Sequence, residues 1–166
     1  MKLGLLASHR GSGVQAVVEA CASGRLAAVP RLVISNNADA EVLTRARRHG
    51  IPSCHLSGAT HPDQTLRHFA GRVLNIHPAL LPRFGGQGMY GRRVHEAVLA
   101  AGERETGVTI HLADEEYDRG RIIAQCRVPV LAGDTVDSLA ERVLEREDVF
   151  LVETLARVVS GALTLA

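Results

Sequence analysis

Leu3-Gly4-Leu5-Leu6-Ala7-Ser8-His9-Arg10-Gly11-Ser12-Gly13 (residues 3–13) reads as a buried strand running into a glycine turn. Leu3 to Ala7 is a continuous apolar run, which a central parallel strand requires. Val14, Val17, Val18 and Cys21 then recur at helical spacing up to Gly24, a helix stop. Strand, glycine turn and helix leave free amides at a helix N-terminus. Those amides and the helix dipole suit a phosphate, with Arg10 and Ser12 as further donors. The same glycines also suit any tight strand-to-helix turn. The spacing is not G-x-G-x-x-G, and no Walker lysine follows.

Outward from this stretch the rhythm repeats. Pro30 to Ser35 reads as a second strand, and Asn36-Asn37-Ala38-Asp39 as a turn carrying an N-cap. Ala40 to His49 reads as a helix stopped by Gly50, and Ile51 to Leu56 as a short third strand. This β-α-β-α-β alternation predicts an α/β fold with a parallel sheet. The rhythm then falters. Ser57 to Gly71 contains Gly58 and Pro62 and leaves space for one or two helical turns at Thr65 to Phe69. His55, His61 and His68 lack the spacing of a helical metal pair and read as surface residues.

Arg72-Val73-Leu74-Asn75-Ile76-His77-Pro78-Ala79-Leu80-Leu81-Pro82 comes next. Val73, Leu74 and Ile76 predict a short buried strand, and Pro78 ends it. Asn75 and His77 stand two apart on one face of its exit. That placement fits a site, and it equally fits a satisfied histidine at a strand end. Arg83 to Gly91 carries four glycines in Gly85-Gly86-Gln87-Gly88-Met89-Tyr90-Gly91, a lid, a substrate-facing turn or a plain connector. Val94, Ala97, Val98 and Ala101 predict a helix to Gly102. Thr106 to Leu112 alternates as a strand, with Val108, Ile110 and Leu112 on one face and Thr109 and His111 on the other. The acidic Ala113 to Gly120 segment joins it to a strand at Arg121 to Val130, predicting an antiparallel hairpin. Asp134 or Thr135 caps a final helix, Val136 to Val159, with Leu139, Val143, Leu144, Phe150, Leu151 and Leu155 as its buried stripe.

At 166 residues the chain has the length of one domain. Its formal net charge of +1 argues against nucleic-acid or membrane-surface binding by bulk charge. Aromatic residues at 3% and the absence of tryptophan disfavour base stacking. Cys21, Cys54 and Cys126 are scattered through apolar elements and read as buried free thiols. With no CxxC pair, no metal site is expected. No signal peptide or membrane span is evident, so a reducing cytoplasmic setting is expected.

Asn75, His77 and a carboxylate from the acidic segment make an amide, an imidazole and an acid. No serine or cysteine sits in a nucleophile elbow, which disfavours covalent acyl transfer. An amide and an imidazolium can stabilise a developing oxyanion, and the imidazole can move a proton. A neighbouring aspartate would raise the imidazole pKa and keep it cationic near neutrality. The set suits direct attack of an amine on a carbonyl carbon.

Asn75-Ile76-His77-Pro78-Ala79-Leu80-Leu81-Pro82 resembles the signature of the folate-dependent formyltransferases. The resemblance extends through Gly88-Met89-Tyr90-Gly91, Val94-His95-Glu96-Ala97, Gly107-Val108-Thr109-Ile110-His111, Asp118-Arg119-Gly120 and Ile122-Ile123-Ala124-Gln125. Gly11-Ser12-Gly13 and Ser35-Asn36-Asn37-Ala38-Asp39 match too, so the likeness is to those members that formylate glycinamide ribonucleotide in purine biosynthesis. It implies a Rossmann-like formyltransferase fold, mostly parallel with antiparallel C-terminal strands. It divides a single domain into a phosphate-binding half (1–71) and a catalytic half (72–166). It implies 10-formyltetrahydrofolate as co-substrate and no metal. Asn75 would bind the formyl oxygen, and His77 would stabilise the tetrahedral intermediate and donate a proton. Asp118 would hold His77 charged. Gly11, Ser12 and Gly13 would hold the phosphate, and Glu147 the ribose hydroxyls unless it is simply an exposed helix acid. Asp114, Glu115, Glu116, Tyr117 and Asp118, with Asn75, would line the folate pocket.

The resemblance also implies a loss. Around residues 58–71 the chain lacks one helix-strand-helix unit, of the order of 30 residues, including a central strand and a folate-pocket wall. Either the first strand pairs directly with the Asn75 strand, or a second copy supplies a strand to the open edge. The shortening sets two further readings beside the enzyme. One is a catalytically crippled ribonucleotide-binding module. The other is a related transferase or hydrolase with another acceptor.

Overall fold

The computed structural model describes residues 1–8, 10–56 and 68–165. His9, His61 and most of the Ser57–Gly71 crossover, including residues 65–67 of the expected short helix, lie outside the described residues. The chain forms two compact units, Met1–Gln64 with Val152–Thr164, and Thr65–Leu151 with the last two residues. Among the described residues, no helix is long and apolar enough to cross a membrane.

In the first unit β1 (Lys2–Leu6), β2 (Val29–Ser35) and β3 (Ser53–His55) pair in parallel in that order. β1 is not the buried central strand expected from its apolar run: among the described strands it pairs with β2 alone, and alternate residues, Leu6 among them, are exposed. The crossovers carry α1 (Ser12–Ala22) and α2 (Glu41–Arg48). Val14 and Val18 from α1, Val33 from β2 and Val42, Leu43 and Ala46 from α2 make the core, so the valine spacing read from sequence is the buried face. Gly11 caps α1 at φ 65°, in the left-handed region, and a Cβ there would collide with the Val42 side chain. Backbone conformation and close helix packing both demand glycine at that turn. The cap of α2 differs from expectation. Ala40 occupies it without a side-chain bond, while Asn37 Oδ1 accepts the Asp39 N–H at 3.1 Å. Asn37 thereby closes a local turn one step before the helix. The three cysteines are free as expected, but each is half-buried rather than buried. Short edge elements such as β3 do not enclose their side chains.

In the second unit β4 (Leu74–His77), β5 (Glu105–Leu112) and β6 (Ile122–Pro129) form an antiparallel sheet in that order. It is joined by α3 (Arg92–Ala100) and by the first part of α4 (Val136–Val159). Val98, Val108, Ile110, Val128, Leu139, Val143 and Phe150 form its core. β5 is the middle strand and is buried on both faces: Val108 and Ile110 lie in the core, and Thr109 on the other face bonds the Ala79 and Leu81 backbone. Its polar face of Thr109 and His111 therefore lies inside, and Thr106, on the Val108–Ile110 face, is buried as well. Thr135 caps α4, accepting the Ser138 N–H at 3.2 Å while Ser138 Oγ accepts the Thr135 N–H at 3.0 Å. Asp134 instead takes two bonds of 2.7 Å from Arg142, and these hold its carboxyl well below the usual carboxylate range. Leu144, assigned to the buried stripe, is 45% exposed, one step off the Leu139–Val143 face. Parallel strands precede antiparallel ones as expected. The described strands nonetheless form two separate three-stranded ladders, so direct pairing of β1 with the Asn75 strand is not found among them.

Candidate active site

β4 ends at His77, and its pleat sends Asn75 and His77 to the same side. Both line a cavity of about 660 Å³ in the second unit. Tyr117 and Asp118 from the β5–β6 loop, Glu147 from α4, Arg93 from α3 and the glycine-rich segment 86–91 complete the lining. Sequence positions as far apart as 75 and 147 thus meet around one space.

Asp118 joins the pieces. Its Oδ2 lies 3.4 Å from His77 Nδ1 and accepts the Gly86 N–H at 3.0 Å, while its Oδ1 lies 3.4 Å from His111 Nε2. It adopts φ 58°, a left-handed conformation rare for a residue with a side chain, and so does Phe84 at φ 57°. Phe84 places its carbonyl oxygen 2.8 Å from His77 Nε2, which donates to it. The Phe84–Gly86 segment is therefore fastened to both His77 and Asp118. Gly85 lies so close that a Cβ there would meet Asp118 Cβ at 3.1 Å and collide with Leu81.

The expectation that Asp118 keeps His77 cationic is not met. Burial pushes the His77 imidazole below its ordinary value, outweighing the opposing Phe84 hydrogen bond and Asp118 charge, and His111 adds to the lowering. Desolvation of a ring only 3% exposed wins over an ion pair of 3.4 Å. Glu147 moves the other way. Burial and the adjacent Asp148 raise its carboxyl to about 7.

Of the acidic segment, Tyr117 and Asp118 reach the cavity. Asp114, Glu115 and Glu116 are exposed and do not line it, and Asp114 Oδ1 accepts the Glu116 N–H in a local turn at 3.1 Å. Gly11, Ser12 and Gly13 lie in the first unit at the start of α1. His111, Thr109, Gln125 and Arg93 were given no role in the site from the sequence. Thr109 and His111 carry a period-2 signal on β5, and the register sets them opposite His77 and Asn75. That signal becomes readable only once the strand pairing is known.

A left-handed aspartate thus stands between two imidazoles, with an amide beside it on one cavity. Residues 60–155 match the formyl transferase family, and the chain belongs to it. Among its relatives, the chloroplastic phosphoribosylglycinamide formyltransferase of Arabidopsis thaliana is 36% identical, with 95% of this chain and 65% of that protein covered. The phosphoribosylglycinamide formyltransferase of Escherichia coli K12 is 33% identical, with 89% and 82% covered. The crystal structure of glycinamide ribonucleotide transformylase 1 from Symbiobacterium toebii superposes with a TM-score of 0.87 at 32% identity, covering 97% of this chain and 88% of that one. The chain spans 65% and 59% of the length of the Arabidopsis and Vigna unguiculata relatives. The Arabidopsis alignment runs over 189 positions, more than the 166 residues of this chain, so that relative carries residues this chain lacks.

Proposed function

We propose that the chain transfers the formyl group of 10-formyltetrahydrofolate to the amine of glycinamide ribonucleotide. The observation that carries this reading is the placement of Asp118 between His77 and His111, with Asn75 in the same cavity. The substrate amine attacks the formyl carbon and forms the new C–N bond. The carbonyl electron pair moves to oxygen, which Asn75 meets with an amide N–H. The Nε2–H of His77 adds a second donor to that oxygen, while Asp118 takes up the amine proton through water and passes it to the folate nitrogen as that C–N bond breaks and the carbonyl re-forms. The Phe84 carbonyl occupies His77 Nε2 in this state and must yield as the substrate enters.

Gly11, Ser12 and Gly13 hold the substrate phosphate in this reading, through the free amides that start α1. Glu147 binds the ribose hydroxyls, and Tyr117 and Asp118 form the folate side, with Asp114, Glu115 and Glu116 in the outer part of the same loop. Among the described strands β1 and β4 each pair on one side only, which fits a homodimer in which a second copy supplies a strand, and a cytoplasmic setting fits three free thiols. The test is a formyl-transfer assay on wild type and His77→Ala, with calorimetry of ribonucleotide binding. His77→Ala is expected to abolish transfer and keep binding. Wild-type-like turnover in the variant refutes the role of His77.

A further inference from the structure

His111 does not line the cavity, yet it touches two groups that do. It is 2% exposed and sits on β5 directly opposite Asn75 of β4. Its Nδ1 faces the Leu112 carbonyl oxygen at 2.8 Å. A carbonyl can only accept, so Nδ1 carries a hydrogen and donates it. With that hydrogen placed, a neutral ring has a bare lone pair at Nε2. Asn75 Nδ2 lies 3.1 Å from Nε2 and forms the hydrogen bond there, and Asp118 Oδ1 lies to the side of that bond at 3.4 Å. An amide oxygen in place of Nδ2 would set two acceptors face to face. The ring therefore decides which way round the Asn75 amide sits. One Nδ2 hydrogen goes to His111, and the second remains for a ligand.

We propose that His111, as the tautomer protonated at Nδ1, is a positioning residue that holds the Asn75 amide with its N–H toward the developing formyl oxygen. The proposal rests on the formyl-transfer reading. An amide free to turn over would present its oxygen to that oxyanion half of the time, replacing attraction by repulsion. The ring acts through Asn75 and does not touch the substrate. Its second contact, with Asp118, fixes the ends of β4 and of the β5–β6 loop against one rigid body, which keeps the amide and the acid in mutual register.

The test has two readouts. Full-length protein labelled with 15N-histidine, observed by two-bond 1H–15N correlation, reports which ring nitrogen carries the hydrogen, and His111→Gln assigns the signal. The Nδ1–H pattern is expected. An Nε2–H pattern or a doubly protonated ring at pH 7 overturns the proposal. The second readout is a cycle of His111→Phe, Asn75→Ala and the double variant. His111→Phe is expected to lower kcat about 100-fold with KM changed by less than about threefold, because a misaimed group costs turnover rather than binding. The double variant should be no slower than Asn75→Ala alone, and His111→Gln, whose amide oxygen accepts the same N–H, should recover part of the loss. Independent, multiplying losses overturn the proposal. If His111→Phe fails to fold, the tautomer and His111→Gln decide. A wild type that transfers no formyl group refutes the activity itself, whereas the tautomer is read without turnover.

Discussion

Thr109→Val and Thr106→Val are the same chemical change, three residues apart on one buried strand, and the structure assigns them opposite consequences. Thr109 Oγ1 donates to the Ala79 carbonyl at 2.7 Å and accepts the Leu81 N–H at 3.1 Å and Gln125 Nε2 at 2.8 Å. Its side chain is fully enclosed. Valine fills nearly the same volume but leaves the Ala79 carbonyl and the Leu81 N–H without partners, while Gln125 keeps its bond to the Leu81 carbonyl. Two stranded buried groups at about 1–3 kcal/mol each predict a loss of about 2–6 kcal/mol. Thr106 Oγ1 is buried with no hydrogen-bond partner among the described residues. Its replacement removes a desolvated hydroxyl that gains nothing, so Thr106→Val should be neutral or stabilising by up to about 1 kcal/mol. Urea unfolding followed by far-UV circular dichroism measures both, with equal m-values as the check that only stability has changed. A Thr109→Val loss below about 1 kcal/mol, or a Thr106→Val loss matching it, refutes the assignment of the hydroxyl network as the anchor of the Ala79–Leu81 backbone. Because that backbone follows His77 directly, Thr109→Val should also depress formyl transfer in whatever fraction remains folded.

Glu147→Gln should stabilise the ligand-free chain at pH 8 by an amount of the order of 3 kcal/mol, since a carboxyl raised to about 7 from its ordinary 4.5 destabilises the fold when ionised. The gain should vanish as pH falls toward 4.5, where the unfolded chain is also protonated, and ribonucleotide affinity should fall in the same variant. An equal gain at pH 4.5 and pH 8 would contradict this. His77 has the opposite sign. Its folded value is lowered, so the neutral ring's contribution is present above pH 6.5 and is lost as pH falls through that point. His77→Phe should therefore flatten the stability profile between pH 7 and 5. Gly85→Ala should slow turnover while leaving the first unit intact, because the added methyl meets Leu81 and Asp118. Wild-type kcat in that variant would show that the Phe84–Gly86 segment is not tightly seated.

Local chemistry made much of the fold legible. The apolar run at Leu3–Ala7, the valine spacing of α1 and the glycine stops each reflect forces within a few residues, so the alternation of strands and helices could be read from the chain alone. The C-terminal hairpin and the long final helix were legible for the same reason. Asn75 and His77 were visible because a strand's period and Pro78 fix their common face.

Amino-acid order by itself determined the elements, the family signature and the positions of the amide, the imidazole and the acid. Tertiary structure decided what those groups are. Burial pushed the His77 imidazole below its ordinary value despite the neighbouring Asp118, a property of the many side chains that exclude water and not of His77 or Asp118 alone. Register placed His111 behind Asn75 and Thr109 beside His77, since pairing partners 32 to 36 residues away in sequence are chosen by the whole sheet. The turn of the β5–β6 loop sent Asp118 inward and left Asp114, Glu115 and Glu116 in solvent. Desolvation and strand register depend on distant residues meeting, and no window along the chain contains them.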